Sequence, residues 1–422
     1  MEIIRYPDLQ ETLYREILPN GLPVLIVPKP GFTKKLAYFV TDFGSIHTAF
    51  TVDGENRTAP EGIAHYLEHK LFDMPDGDVT EAFAALGASV NAFTGYDMTA
   101  YYYSCTEHFE ECLRLLLDFV TTPYFTEGSV KKERGIIAQE IGMNLDNPDT
   151  RGFEMLMGAM YRHHPVGQPI LGTADSIQQI SPTVLEQTHR AFYRPDNMLL
   201  CVIGDVNPEQ VRQIAMETLP SKPEQTVKAD RFWQEEMAVC KPLITGRMEV
   251  AMPTFQLGFK CEPLGRGEEA ARQEILADLA AEALFGESSS LYLRMYEDGL
   301  IDSAFGGGFE TIEGMAILTA SGDSDQPEAV RDAILQEARR LCREGIPPED
   351  LLRMKRSALG RRIRELDSFD STCFRLCAYY LSGFDYFEFP KLYQQIEVSH
   401  IQEFLNRVVT AQRCSLTVIY PK

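Results

Sequence analysis

Residues 89–145 read SVNAFTGYDMTAYYYSCTEHFEECLRLLLDFVTTPYFTEGSVKKERGIIAQEIGMNL. Ser89 to Ser104 has a strand pattern, and Phe109 to Val120 recurs at helical spacing. The segment PYFTEG supplies a turn, and Ser129 to Leu145 reads as a second helix. The same order returns further along the chain. A strand pattern over Ile301 to Ser321 is followed by the helix PEAVRDAILQEARRLCREG, the turn IPPED and the helix LLRMKRSALGRRIREL. Setting Glu127 on Glu349 keeps both stretches in register at a constant offset of 222. The chain is therefore expected to hold two copies of one α+β unit. Breaker residues gather between Leu219 and Leu243, which predicts domains 1–219 and 240–422 joined by a linker at 220–239.

The chemistry sits in the first copy, upstream of the strands, in TAPEGIAHYLEHKLF (58–72). Thr58 and Glu61 read as a capping box with Pro60 in the first turn, which predicts a helix from about Ala59 that stops before Pro75. Ile63, Leu67 and Leu71 form an apolar stripe on it. His65 and His69 are four residues apart, so they lie one turn above the other on a different face. Two imidazoles stacked this way can converge on one cation, and zinc takes neutral His nitrogens at ~2.0–2.1 Å in a tetrahedral shell. Glu68 flanks the pair, within reach of a water on the metal without being a ligand itself. The pattern H-x-x-E-H is the inverzincin signature.

A catalytic zinc needs a third protein ligand and one open position. Glu133 and Glu140 are seven residues apart, two turns along one face of the downstream helix. One of them could complete the shell while the other orients a histidine. Glu140 is the better ligand candidate because Ile136, Ile137 and Ile141 surround it in sequence, and a partly buried carboxylate needs a partner.

HYLEH, the Glu133–Glu140 pair and the duplicated halves together resemble the pitrilysin/insulysin family of zinc peptidases, which includes mitochondrial processing peptidase. The resemblance runs over essentially the whole chain and is strongest from Glu61 to Gly172. It implies His65, His69 and Glu140 as ligands of one Zn2+, Glu68 as general base and Glu133 as a carboxylate supporting a ligand. It also implies that peptide binds as an added strand on a sheet edge, where the family's Asn-Ala pair matches Asn91 and Ala92. The fold it implies is a pair of homologous α/β rolls, each a mainly antiparallel sheet with helices packed on it, facing each other as a clamshell. HYLEHKLF further resembles a bacterial branch that processes ribosomally made peptide precursors, often beside an inactive paralogue.

The chain departs from that pattern in places. In the second half, active relatives carry an Arg followed seven residues later by a Tyr, both holding substrate. Here LYLRMYEDGLI supplies Arg294, but position 301 is Ile. Lys70 stands where an apolar residue is usual. The second copy's corresponding helix, QEILADLAAEALFG, has no histidine, and the repeat sets Arg362 opposite Glu140, so one metal per chain is expected. His163-His164 reads as a helix-end loop, and Gly306-Gly307-Gly308 as a turn or bulge.

Composition narrows the remaining classes. The chain has 422 residues and a formal charge of −22, from 40 Lys plus Arg against 62 Asp plus Glu. That balance argues against nucleic acid and against an anionic membrane as partners. No apolar run is long enough to span a bilayer, and the N-terminal MEIIRYPDLQETLYREILPNG lacks the pattern of a secretory leader. Nine cysteines with no CxxC pair fit reduced thiols in the cytoplasm. The expected function is a zinc metalloendopeptidase acting on short or unfolded peptides. The alternative is a family member that binds peptides, or scaffolds a paralogous partner or a second copy, without cleaving. Because zinc would be held by the first half alone, residues 1–219 are expected to bind it without the remainder.

Overall fold

The burial of Met198–Gly204, MLLCVIG, sets the centre of the first sheet: every residue of this strand is buried. A strand covered on both faces reads as a continuous apolar run, and such a strand belongs in the middle of a sheet. In the computed structural model, which describes residues 1–222 and 224–422, it is the middle of seven strands. Pro223, within the predicted linker, lies outside the described residues.

The strands of that sheet are β1 (Glu2–Tyr6), β2 (Glu11–Ile17), β3 (Pro23–Pro28), β4 (Lys35–Thr41), β5 (Ser89–Thr94), β6 (Thr99–Cys105) and β7 (Met198–Gly204). Their spatial order is β1-β2-β3-β7-β4-β6-β5, so β5 is an edge. Only the β3–β7 pair is parallel; the other neighbours run antiparallel. Helices α1 (Ile63–Leu71), α2 (Phe109–Thr121) and α3 (Glu127–Leu145) accompany the sheet. Cys112, Leu113, Leu116, Leu117 and Val120 form the buried face of α2, at the spacing its sequence predicts.

The chain divides into two compact units. Unit 1 comprises 1–141, 169–230 and 363–381, and unit 2 comprises 142–168, 231–362 and 382–422. Within unit 2, α4 (Pro148–Met160) packs on a five-stranded sheet of β8 (Leu243–Met248), β9 (Thr254–Cys261), β10 (Gly306–Ile312), β11 (Met315–Asp323) and β12 (Cys414–Pro421). The order is β8-β12-β9-β11-β10, with β10 at the edge. Helices α5 (Glu268–Phe285), α6 (Ser290–Glu297), α7 (Pro327–Glu344) and α8 (Pro348–Glu365) belong to the same unit up to Arg362. The strand–strand–helix–helix order of β5, β6, α2 and α3 thus recurs as β10, β11, α7 and α8. Both units are mainly antiparallel α+β structures.

Two helices belong to the unit across the sequence midpoint. α4 lies early in the chain yet sits in unit 2, and α9 (Phe369–Leu381) lies late yet packs on β4 and β7 of unit 1. Residues 227–229, inside the predicted linker, form a short strand paired with Ala49–Val52, which in turn pairs with Glu55–Thr58.

Two local expectations are corrected. The helix predicted from Ala59 starts four residues later, at Ile63, because Thr58 is taken into a strand and its side chain makes no cap. Gly62, at φ +86°, makes the entry instead, and it has to be glycine: a Cβ there would lie 2.4 Å from the Leu171 carbonyl oxygen. Gly306–Gly308 is not a turn but the start of edge strand β10, and a side chain at Gly307 would meet the Phe285 ring at 2.4 Å.

Candidate functional site

Helix α1 is fixed by what it buries. Ile63, Tyr66, Leu67 and Leu71 are at most 1% exposed, and the Tyr66 hydroxyl donates to the Val130 carbonyl on α3 at 2.5 Å. At its entry, Ser176 Oγ donates to the Glu61 carbonyl at 2.9 Å, bracing the turn from the loop after Gly172. Lys70 is also buried, with its ammonium 2.5 Å from Asp73 Oδ2. That pairing is how a cation is accommodated at a position where an apolar residue would pack.

With the apolar side committed to the core, His65 and His69 turn toward α3, their ring centroids 4.5 Å apart. One ligand atom from each of His65, His69 and Glu140 can be chosen so that all three lie within 4.8 Å of one another. His65 Nε2 is 3.6 Å from Glu140 Oε1, and His69 Nε2 is 3.5 Å from Glu140 Oε2. A tetrahedral ion with bonds of ~2.0–2.1 Å spaces its ligands by about 3.3–3.4 Å, close to both separations. His69 Nδ1 lies 2.9 Å from Glu133 Oε1. A carboxylate there fixes the proton on Nδ1 and leaves the Nε2 lone pair facing Glu140. An imidazole lone pair and a carboxylate oxygen that face each other repel unless a cation stands between them. The donor set therefore fits a small, borderline-soft divalent ion.

The electrostatics agree with that geometry. Burial lowers the pKa of His69, but the hydrogen bond to Glu133 and the charges of Glu68, Glu133 and Glu140 outweigh it, and the net shift is upward. Glu140 is held below its usual range chiefly by the neighbouring His65 imidazole, 3.6 Å away, against the opposing effect of burial. Ile137 and Ile141 beside it are buried while Ile136 is 44% exposed, so its apolar surroundings are one-sided.

Glu68 projects from the same helix, and its Oε2 accepts from Thr94 Oγ1 at 2.6 Å. Nothing in the sequence pattern marks Thr94. It lies 26 residues from Glu68, and only the pairing of β5 with β6 and the packing of β5 on α1 bring it there. Asn91 and Ala92 lie on edge strand β5, opposite Tyr102 and Tyr101 of β6. Asn91 is exposed, and its Oδ1 accepts from the Ala92 amide at 2.8 Å. Arg294 lies on α6 in unit 2, where its guanidinium is 2.6 Å from Glu337, which Arg340 also contacts. Ile301 is buried at 6% exposure in the same unit.

Unit 2 carries a related arrangement with different chemistry. Arg362 Nη2 on α8 is 3.5 Å from Glu274 Oε1 and 3.6 Å from Asp278 Oδ2 on α5. Glu274 and Asp278 are spaced i,i+4, as His65 and His69 are, and they face a guanidinium at the repeat position of Glu140. His163 and His164 follow the end of α4, as a helix-end loop should. His164 Nε2 bonds the Glu313 carbonyl at 2.9 Å, and His164 Nδ1 accepts from the Val166 amide at 3.0 Å.

Two family profiles match the chain: Insulinase (Peptidase family M16) over residues 54–174, and Peptidase M16 inactive domain over residues 179–358. The Bacillus subtilis protein called uncharacterized zinc protease YmfH is 37% identical over 427 aligned positions, covering 99% of each chain. A second B. subtilis protein, uncharacterized zinc protease YmxG, is 28% identical and covers 75% of this chain and 78% of its own. The crystal structure of an M16-like peptidase from Alicyclobacillus acidocaldarius superposes with a TM-score of 0.94 at 29% identity, over 99% of this chain and 100% of the other. A Helicobacter pylori protease shares the fold at TM-score 0.84 and 19% identity, over 97% and 99% of the two chains. Full-length identity at this level, reached over both halves, shows that the chain belongs to peptidase family M16, the pitrilysin-like peptidases.

Proposed function

We propose that the chain is a zinc-dependent endopeptidase of the H-x-x-E-H type that hydrolyses short or unfolded peptides. The observation that carries this reading is the separation of His65 Nε2 and His69 Nε2 from the two Glu140 oxygens, 3.6 and 3.5 Å, with Glu133 behind His69. His65, His69 and Glu140 would hold the ion. When bound, zinc supplies Lewis acidity that polarises a carbonyl and lowers the pKa of water to ~7. Glu68 would take the proton of the attacking water and hand it to the departing amine nitrogen. Glu133 would keep His69 in the tautomer that presents Nε2. Peptide would add as a strand to the edge at β5, where Asn91 and Ala92 lie, with main-chain hydrogen bonds supplying affinity that tolerates varied sequences. Arg362 beside Glu274 and Asp278 supports one zinc per chain, since unit 2 answers its acidic pair with its own cation.

A second reading has an observation of its own. Position 301 is a buried Ile where active relatives are expected to offer a Tyr, which favours a subunit that binds peptide beside a paralogue, or in a homodimer, without cleaving. Metal analysis and a Glu68→Gln variant separate the two. The peptidase reading expects near-stoichiometric zinc in both proteins and cleavage of unstructured peptides by the wild type alone. Equal cleavage by Glu68→Gln would overturn it, and zinc-loaded wild type that cleaves nothing would favour the binding subunit. Among the described residues no helix is long and apolar enough to cross a membrane. We place the protein in the cytoplasm, which suits its nine scattered cysteines.

A further inference from the structure

The hydroxyl that meets Glu68 differs from most of its kind in this chain. Thr41, Thr99, Thr121 and Thr188 all donate to backbone carbonyls, the usual fate of a buried threonine. Thr94 instead donates to the one carboxylate that the proposed function assigns as general base, at 2.6 Å. It is the last residue of edge strand β5 and pairs with Thr99 across β6. Alternation along a strand puts Thr94 on the same face as Val90 and Ala92, which pack against the core of unit 1. Asn91 belongs to the opposite face.

We infer that Thr94 is a positioning residue: its hydroxyl selects the Glu68 conformation that serves the reaction, and it ties that carboxylate to the strand on which peptide is docked. The inference rests on the proposed peptidase function and deepens it. A glutamate on a helix surface has three side-chain torsions, and a general base must sit within about 2.6–3.2 Å of the proton it takes. A short hydrogen bond to an ionised acceptor is among the stronger restraints a single neutral side chain can supply. Because the donor sits on β5, a peptide added to that edge and the carboxylate that must reach its scissile bond share one frame of reference. Misplacement of a reacting group by about 1 Å costs on the order of 100-fold, whereas ground-state peptide binding does not depend on where Glu68 points.

Thr94→Val removes the hydroxyl at constant shape, and Thr94→Ser keeps it. With a pool of internally quenched, unstructured peptides, Thr94→Val should lose roughly 10–100-fold in kcat while KM stays within about threefold. Zinc stoichiometry and thermal unfolding should match the wild type, and Thr94→Ser should recover most of the rate. Crystal structures of wild type, Thr94→Val and Thr94→Ser give a readout independent of turnover: Glu68 should be single and ordered in the first and third and shifted or split in the second. Thr94→Ala takes the place of the Val variant if that protein does not fold. Wild-type kcat in a folded, zinc-loaded Thr94→Val or Thr94→Ala protein would overturn the proposal, as would an unmoved Glu68 in its crystal structure. If wild type itself binds zinc and cleaves nothing, the peptidase reading fails. The crystallographic comparison then still decides whether Thr94 sets the position of Glu68.

Discussion

Glu133 touches one ring of the candidate centre, through the 2.9 Å contact to His69 Nδ1. Its side chain is only 16% exposed, so both the charge and the acceptor oxygen act at low dielectric. Removing such a partner from a metal-bound histidine commonly weakens metal binding by about 10–100-fold. Glu133→Ala should fall in that range, and Glu133→Gln, which keeps an acceptor but loses the charge, should fall between it and wild type. A competition titration against a chelator of known zinc affinity measures both. Equal zinc affinity in all three proteins would show that His69 is oriented by α1 packing alone. At this scale much of the site is legible in the sequence. A four-residue spacing on a helix is local geometry, so His65 and His69 can be assigned to one face from the sequence alone. The Glu133–Glu140 spacing is equally local, but which carboxylate faces which histidine depends on how α3 lies beside α1. The sequence favours Glu140 as the ligand, but that it reaches both imidazoles while Glu133 meets His69 Nδ1 emerges only from that packing.

Elements show where local signals lose to tertiary ones. Thr58-Ala59-Pro60-Glu61 has the residues of a capping box, yet Thr58 pairs with Ala49 in a short sheet and the Ala59 amide donates to the Thr48 carbonyl at 2.8 Å. Strand pairing outside the segment therefore delays α1 until Gly62. The expected consequence is that Gly62→Ala is destabilising by at least about 1–3 kcal/mol, from its positive φ and from collision with Leu171. It should show as a lower Tm and, if α1 shifts, as weaker zinc binding. In unit 2, a triple glycine reads as a turn or bulge, but pairing with Thr319–Ser321 makes it a strand, and the close Phe285 ring leaves no room for a side chain at Gly307. A third element effect lies after α4. Glu235 accepts from the backbone amides of Arg162, His163 and His164, and it is 2.9 Å from Lys260 Nζ, both side chains being at most 6% exposed. Burial raises the Glu235 pKa, but Lys260 and the amides of His163 and His164 outweigh it and hold the carboxyl below its usual range. A carboxyl depressed in the folded state contributes stability above its unfolded pKa of ~4.3 and loses that contribution as pH falls through the folded value. Glu235→Ala should therefore cost about 3–5 kcal/mol near neutral pH, where Lys260 is left buried without its partner. The gap to wild type should narrow in acid unfolding experiments below that range. A gap that does not change with pH would locate the loss in packing instead of charge.

For the whole molecule, the exchange of helices across the sequence midpoint is the feature that sequence reading does not reach. The repeat at offset 222 is visible because each copy carries its own strands and helices. Nothing local says that α9, late in the chain, completes unit 1, since the contacts that dock it there are with residues far earlier in the chain. Asp370 pairs with Lys34 at 2.8 Å, the Phe374 ring lies 5.9 Å from Phe93, and Cys373 Sγ is 3.7 Å from Cys201 Sγ on central strand β7. Phe369, Cys373, Leu376 and Cys377 are buried by this packing. A fragment ending near residue 219 or 230 loses that helix and uncovers apolar surface on β4 and β7. It also keeps α4, whose buried Leu156, Met157 and Met160 belong to unit 2. The expectation that the first half alone binds zinc is therefore revised. Residues 1–230 should aggregate or bind zinc well below one equivalent, although every candidate ligand is present. Joining residues 363–381 to that fragment through a flexible linker, with residues 142–168 replaced by a second linker, should restore a soluble, zinc-binding protein, read by size-exclusion chromatography and metal analysis. Peptide cleavage should stay far below that of the full chain, because unit 2 is still missing. A monomeric 1–230 fragment with full zinc would show that α9 is dispensable to unit 1. A soluble, folded fusion without zinc would instead remove His65, His69 or Glu140 from the ligand set.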